Sequence, residues 1–112
     1  MEMNRKLKTI LIVDDDREIL RGCKLNLEDK GYVVKTAMTL EEAKKYSEEK
    51  FDLAIVDGLE GKCFEACDII NAKRKVILTG EEAYIKTAKE KGIEVYDRSK
   101  IKIGDIVKWT LD

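Results

Sequence analysis

Five runs of strand length alternate with segments of helical period along this chain, and that alternation limits the fold more than any other feature. The runs are "TILIV" (9–13), "YVVKTA" (32–37), "FDLAIVD" (51–57), "KVILTG" (75–80) and "IEVYD" (93–97). Several are continuously apolar, the pattern of strands buried on both faces rather than one. Between them, "REILRGCKLNLEDKG" (17–31) places Ile19, Leu20, Cys23 and Leu27 at helical spacing before a stop at Gly31. Thr39 is placed to cap "LEEAKKYSEEK", with Glu41 and Glu42 favourably in its first turn. Further helices are expected near Cys63 to Ala72, over "EEAYIKTAKEKG" ending at Gly92, and over "IGDIVKWTL" (103–111). Connections this short do not allow hairpin-and-return paths between five βα units. The expected fold class is therefore α/β, a doubly wound parallel sheet with right-handed crossovers and helices on both faces.

At 112 residues the chain is expected to form a single domain around one core. Its 22 Lys+Arg against 23 Asp+Glu give no electrostatic reason to expect a nucleic-acid or membrane-surface partner. No segment reaches the length of an apolar membrane span, and "MEMNRKLK" lacks the apolar stretch of a secretory signal, so a cytoplasmic location is expected. Three cysteines (Cys23, Cys63, Cys67) and no histidine leave neither a disulfide framework nor a Cys/His zinc set. Cys63 and Cys67, one helical turn apart, read as small core residues. The 40% charged fraction, with no Gln, no Pro and three Asn, resembles thermophile usage.

In open parallel sheets, ligands bind beyond the carboxyl ends of the strands. Here those ends carry Asp14 and Asp15 after the first strand, Asp57 after the third and Thr79–Gly80 after the fourth; Asp97, Arg98, Ser99 and Lys100 follow the fifth. Adjacent carboxylates beside an apolar element repel, and a cation is the natural compensation. Asp16 is read as the N-cap of the first helix. The remaining carboxylates, with a backbone carbonyl, make a hard oxygen site suited to Mg²⁺ or Mn²⁺. Open positions on such an ion accept phosphate oxygens, and Thr79, Gly80 and a cationic side chain beyond the fifth strand complete a phosphoryl pocket.

"ILIVDDD", "FDLAIVD", "VILTG" and "GIEVYDRSK" occur in the order expected of response-regulator receiver domains, which this chain resembles from about Lys8 to Leu111. The resemblance implies a flavodoxin-like sheet of order 2-1-3-4-5. It implies Asp57 as the phosphorylated aspartate, Asp15 as a direct Mg²⁺ ligand, Asp14 as a ligand through water, and the Leu59 carbonyl as a third protein ligand. It makes Thr79 the switch hydroxyl and Tyr96 the aromatic that moves with it. The family's Lys-Pro pair after the fifth strand is missing. Counting from Gly92 puts the lysine position on Ser99, and a one-residue slip brings Lys100 into the pocket. The implied chemistry is self-catalysed phosphoryl transfer to Asp57, slow autodephosphorylation, and a shift near the fourth helix and fifth strand, with Tyr84, Ile85, Tyr96 and Trp109 as candidate contacts. The implied partners are a sensor histidine kinase or phosphotransfer protein and a downstream protein target, since the chain is read as a stand-alone receiver. An alternative is a pseudo-receiver that binds a partner without being phosphorylated. A flavin or nucleotide binder of the same fold is opposed by acidic residues where a Gly-rich phosphate loop would follow the first strand.

Overall fold

In the computed structural model, which describes residues 7–111, the five runs become the strands of one parallel sheet. They are β1 (Thr9–Val13), β2 (Val33–Ala37), β3 (Lys50–Asp57), β4 (Asn71–Thr79) and β5 (Glu94–Asp97). The helices are α1 (Arg17–Asp29), α2 (Leu40–Lys44), α3 (Cys63–Ile69), α4 (Glu82–Glu90) and α5 (Ile103–Leu111). The strand order is β2-β1-β3-β4-β5, the flavodoxin-like order. Order reverses beside β1, so β1 and β3 lie adjacent with Ile10 opposite Leu53 and Val13 opposite Val56. Asp57 pairs with Leu78, and Thr79 with Asp97. This register brings the carboxyl ends of β1, β3, β4 and β5 to one edge.

Continuous apolar runs follow from the two layers of core. Ile10, Ile12, Leu53, Ile55, Val76 and Leu78 face α1 and α5, where Leu20, Leu27, Ile103, Ile106 and Val107 close over them. Leu11, Val13, Ala54, Val56 and Ile77 face the other way, against Ala43, Cys63, Ala66, Cys67 and Ala88 of α2, α3 and α4. Each fully buried Ile, Leu or Val contributes on the order of 2 kcal/mol. The small residues on the second set of helices let those helices lie close to the sheet. Cys63 and Cys67 belong to this layer as free, buried thiols, and burial pushes the Cys67 thiol up to about 11.

Two boundaries differ from the sequence expectation. Helix α2 stops at Lys44, turns and a bend cover residues 45–49 and β3 takes Lys50; Lys45, Tyr46 and Ser47 close i→i+3 bonds in place of a continuing helix. Helix α3 ends at Ile69 rather than Ala72 because β4 begins at Asn71, four residues earlier than its apolar run. That polar extension pairs with the start of β3, Lys50 against Asn71 and Phe51 against Ala72, and Arg74 on it forms a two-bond ion pair with Glu94. Backbone pairing and one salt bridge, not apolar periodicity, hold this part of the strand, so the hydrophobic pattern carries no trace of it.

At the opposite end of the sheet Asp52 latches β1 to β3. Its carboxylate accepts from the Thr9 N–H (2.8 Å) and the Thr9 hydroxyl (3.3 Å) and pairs with Lys73 at 3.4 Å, while its own N–H donates to Thr9 Oγ1. The Thr9 N–H bond is the main reason the Asp52 pKa is lowered, against the opposing effect of burial. A lowered folded-state pKa makes this contribution complete above the ordinary carboxylate range near 3.9 and lost as pH falls through the folded value. Asp52→Ala is expected to cost about 1.5 kcal/mol at pH 7. Urea unfolding at pH 7 and below pH 3 checks it, the two proteins converging at the lower pH.

Candidate functional site

The site is built where apolar strands give way to helix caps. Strand β1 ends by handing its backbone to β2, the Asp14 N–H donating to the Ala37 carbonyl at 3.0 Å. This holds the Asp14 carboxyl inside the sheet edge, 1% exposed. Asp16 caps α1, accepting from the N–H groups of Glu18 (3.0 Å) and Ile19 (3.2 Å), and its own N–H donates to Asp14 Oδ1 at 2.9 Å. Of the three consecutive aspartates, the first is therefore buried, the second exposed and the third used as a cap. Asp57 arrives from the neighbouring strand, and one carboxylate oxygen each of Asp14, Asp15 and Asp57 lie within 4.8 Å of one another.

Into this acidic group projects the guanidinium of Arg98. One terminal nitrogen donates to Asp57 Oδ1 at 2.6 Å and the other to Asp14 Oδ2 at 2.5 Å, so that the planar fork bridges two strands. Its backbone is fixed by an N–H bond to the Thr79 carbonyl at 3.1 Å. Burial works against the charge on Arg98, but the hydrogen bond and charge of Asp14, then the charges of Asp57 and Asp15, more than offset it and move its pKa upward. Asp57 goes the other way for a carboxyl. Burial and the charge of Asp14 raise its pKa, the Leu59 N–H and Arg98 pull it down, Asp15 adds to the rise, and the net shift is upward.

The chain leaving Asp57 is strained. Leu59 (φ 49°) and Glu60 (φ 54°) take left-handed backbone without being glycine, followed by Gly61 at φ 94°. Each such residue costs on the order of 1 kcal/mol, and strain of this kind collects where a loop must present its backbone in a set direction. The Leu59 side chain is buried and its N–H donates back to Asp57 Oδ2 at 3.3 Å. Thr79 is buried on the other side of Asp57, its hydroxyl accepting from the Glu81 N–H at 3.2 Å.

Thus Asp14, Asp15, Asp57, Leu59 and Thr79 are brought to one edge, as their positions at the strand ends required. Two expected members are not. Lys100 is exposed and pairs with neither Asp14 nor Asp57; its N–H donates to the Asp97 carbonyl in the turn after β5. Ser99 is exposed too, bonded to the Asp97 carboxylate by its N–H and hydroxyl. The cation in the site is Arg98, because Thr79 and Asp97 are in register and the residue after Asp97 is the first beyond the edge. A fixed strand end, rather than a count from the aromatic, is the signal that points to it. Tyr96 likewise lies apart from Thr79. It packs with Leu78 on the face covered by α1 and α5, its ring 5.8 Å from Trp109 and its hydroxyl donating to Glu94 at 2.7 Å, whereas Thr79 alternates to the opposite face.

No family model matches the chain, and no curated protein does. Solved structures do. A response regulator from Burkholderia pseudomallei, described with a phosphorylated aspartic acid, a calcium ion and citrate, is 27% identical with a TM-score of 0.75 over 94% of this chain and 66% of its own. A CheY-like receiver domain from Methanospirillum hungatei is 28% identical with a TM-score of 0.69 over 93% of this chain and 90% of its own. The chain has the fold of a response-regulator receiver domain and is similar to that family over more than nine-tenths of its length. The HemR receiver domain from Leptospira biflexa, at 23% identity, shares the fold, with a TM-score of 0.70.

Removing the bridge in this domain leaves the buried Asp14 with the Asp16 N–H bond but without a cation. Arg98→Met is expected to cost about 3 kcal/mol in metal-free buffer, the low end for a broken buried pair because Arg98 is partly exposed. Asp57→Asn is expected to raise the melting temperature at pH 7. The raised folded pKa means that ionising Asp57 opposes folding, so the gain shrinks as pH falls below that value. Thermal melts with excess chelator at pH 7 and pH 4 measure both.

Proposed function

We propose that this receiver accepts a phosphoryl group on Asp57 and passes the change to a protein partner. The observation carrying the proposal is the convergence of Asp57 with Asp14, Asp15, Thr79 and Arg98 at the carboxyl edge of the sheet. A carboxylate oxygen of Asp57 attacks phosphorus in line with the leaving group. A P–O bond forms, and the P–N bond of a phosphohistidine, or the P–O bond of a small acyl phosphate, breaks with its electron pair on the departing atom. Arg98 is the group that releases Asp57 and then holds the phosphoryl oxygens, and the Thr79 hydroxyl turns from its bond with Glu81 to donate to them. Later attack by water at phosphorus returns Asp57 to a carboxylate.

The donor set also fits a divalent cation. Three carboxylates whose oxygens approach within 4.8 Å are a hard, oxygen-only group, and Asp14, Asp15 and Asp57 with the Leu59 carbonyl would hold Mg²⁺, Mn²⁺ being the substitute. Bound there, the ion supplies neutralisation of phosphoryl oxygen charge. Arg98 occupies two of the same oxygens, and it also borders a groove of about 750 Å³ between α1 and α5, which gives its side chain somewhere to turn. Sensor histidine kinases or phosphotransfer proteins are the donors this reading calls for, in the cytoplasm. Among the described residues no helix is long and apolar enough to cross a membrane.

A second reading has one observation of its own. Because Arg98 already pairs with both Asp14 and Asp57 and offsets part of their charge, the acidic edge is held without phosphorylation, and the domain then serves as a binding module. Intact-mass measurement after incubation with acetyl phosphate, with and without Mg²⁺, separates the two. A gain of one phosphoryl mass (~80 Da) that requires both Mg²⁺ and Asp57, and is absent in Asp57→Asn, is expected. No gain under rapid quenching, while a control receiver is labelled, selects the binding module.

A further inference from the structure

Helix α4 meets the loop that follows Asp57 through Tyr84. Its ring lies along the strained loop that follows Asp57, at both glycines of that loop. A methyl group on Gly58 would sit 3.0 Å from Tyr84 Cδ2 and 2.9 Å from Thr79 Oγ1. One on Gly61 would meet the Tyr84 hydroxyl at 3.6 Å and its ring carbons at 3.7 and 3.8 Å. Phe64 of α3 meets the ring edge-on at 6.4 Å and 84°. Gly58 has an ordinary right-handed φ of −57°, so no backbone requirement explains glycine there; the space taken by Tyr84 and Thr79 does. The same tyrosine is tied to Thr79 along the chain. The Thr79 hydroxyl accepts from the Glu81 N–H, and the Glu81 carbonyl accepts from the N–H groups of Tyr84 and Ile85, starting α4.

We propose that Tyr84 is the coupling residue of this domain: lodged in the notch of Gly58 and Gly61, it makes the position of α4 depend on the conformation of the loop after Asp57. The loop lies against the ring, and the Thr79 turn is hydrogen-bonded to the start of α4 through Glu81, so a shift of either bears on the same helix end. A change at Asp57 therefore moves Tyr84, and with it the first turn of α4. That Asp57 phosphorylation drives the change rests on the function proposed above; the mechanical link between loop and helix does not. Tyr84 is thus a positioning residue, acting through the loop and the helix rather than on the phosphoryl group itself.

The link is tested without any phosphoryl donor by Gly58→Ala, which places a methyl group where the ring now lies. In protein carrying fluorotyrosine at all four tyrosines, with the signal of Tyr84 assigned by Tyr84→Phe, Gly58→Ala is expected to shift the Tyr84 fluorine resonance and leave that of Tyr46 in place. Amide exchange over residues 82–85 is expected to accelerate at least about fivefold, and a Gly58→Ala/Tyr84→Ala double variant to exchange like Tyr84→Ala alone. Unchanged exchange in Gly58→Ala, or equal acceleration with and without Tyr84, overturns the inference. A second arm uses acetyl phosphate with Mg²⁺. In samples whose mass shows labelling, exchange over 82–85 changes in the wild type and not in Tyr84→Ala, which is still labelled; an equal change in both overturns it. Absence of labelling counts against the proposed phosphorylation alone, because the Gly58→Ala arm still decides the coupling.

Discussion

The guanidinium of Arg98 between Asp14 and Asp57 is the interaction on which the acidic edge depends. Asp14 is almost entirely buried, and a buried carboxylate without a cation is one of the costliest features a small domain can carry. The bridge ties the ends of β1 and β3 to the turn after β5, across the order reversal of the sheet. It also sets the electrostatics around it. Arg98 pulls against burial and the Asp14 charge at Asp57, and the outcome is a carboxyl that ionises less readily than usual, held in place by a removable partner.

That arrangement gives the edge a built-in partial compensation of its charge. With Arg98 in place, two carboxylates share one internal cation. In the function proposed above, a divalent ion held by Asp14, Asp15 and Asp57 would supply the remaining charge and leave Arg98 free for phosphoryl oxygens. Such an exchange would be local, because the Arg98 backbone is anchored to the Thr79 carbonyl and only its side chain would have to turn. The loop beyond Asp57 is the other stressed component, with two non-glycine residues in left-handed backbone and two glycines against Tyr84. Strain on one side of Asp57 and close packing on the other leave the start of α4 as the nearest element able to respond.

Most of the fold is legible in the amino-acid sequence because local propensity, hydrophobic pattern and capping residues agree with one another. Continuous β-branched runs mark strands buried on both faces, and glycines and caps mark helix ends: Asp16 and Thr39 cap α1 and α2 as their positions imply. The departures are local. Residues 71–74 carry no apolar signal because pairing with β3 and the Arg74–Glu94 bridge hold them, and α2 gives way to turns although its composition favours helix. At the site, Asp14, Asp15, Asp57 and Thr79 are legible because strand ends converge in any parallel sheet. The cation is not, because the chain turns after β5: Arg98, directly after Asp97, is still bonded to the Thr79 carbonyl at the edge, while Lys100, two residues on, bonds back to Asp97 and stands exposed.

What the sequence determined by itself was the class of fold and the chemistry available at its edge. Strand-length apolar runs separated by single helices leave little choice but a parallel sheet, and in the order 2-1-3-4-5 that the family resemblance implies, carboxylates placed after strands one and three lie side by side. What only the tertiary structure decided was which cation meets them and which aromatic touches the site. Register between β4 and β5 put Arg98 at the carboxylates and turned Lys100 to solvent, and side-chain alternation sent Tyr96 to the face opposite Thr79. Helix packing brought Tyr84 to Gly58 and Gly61. These outcomes rest on strand register and helix docking, which are set by the whole core at once and leave no mark at the positions they select.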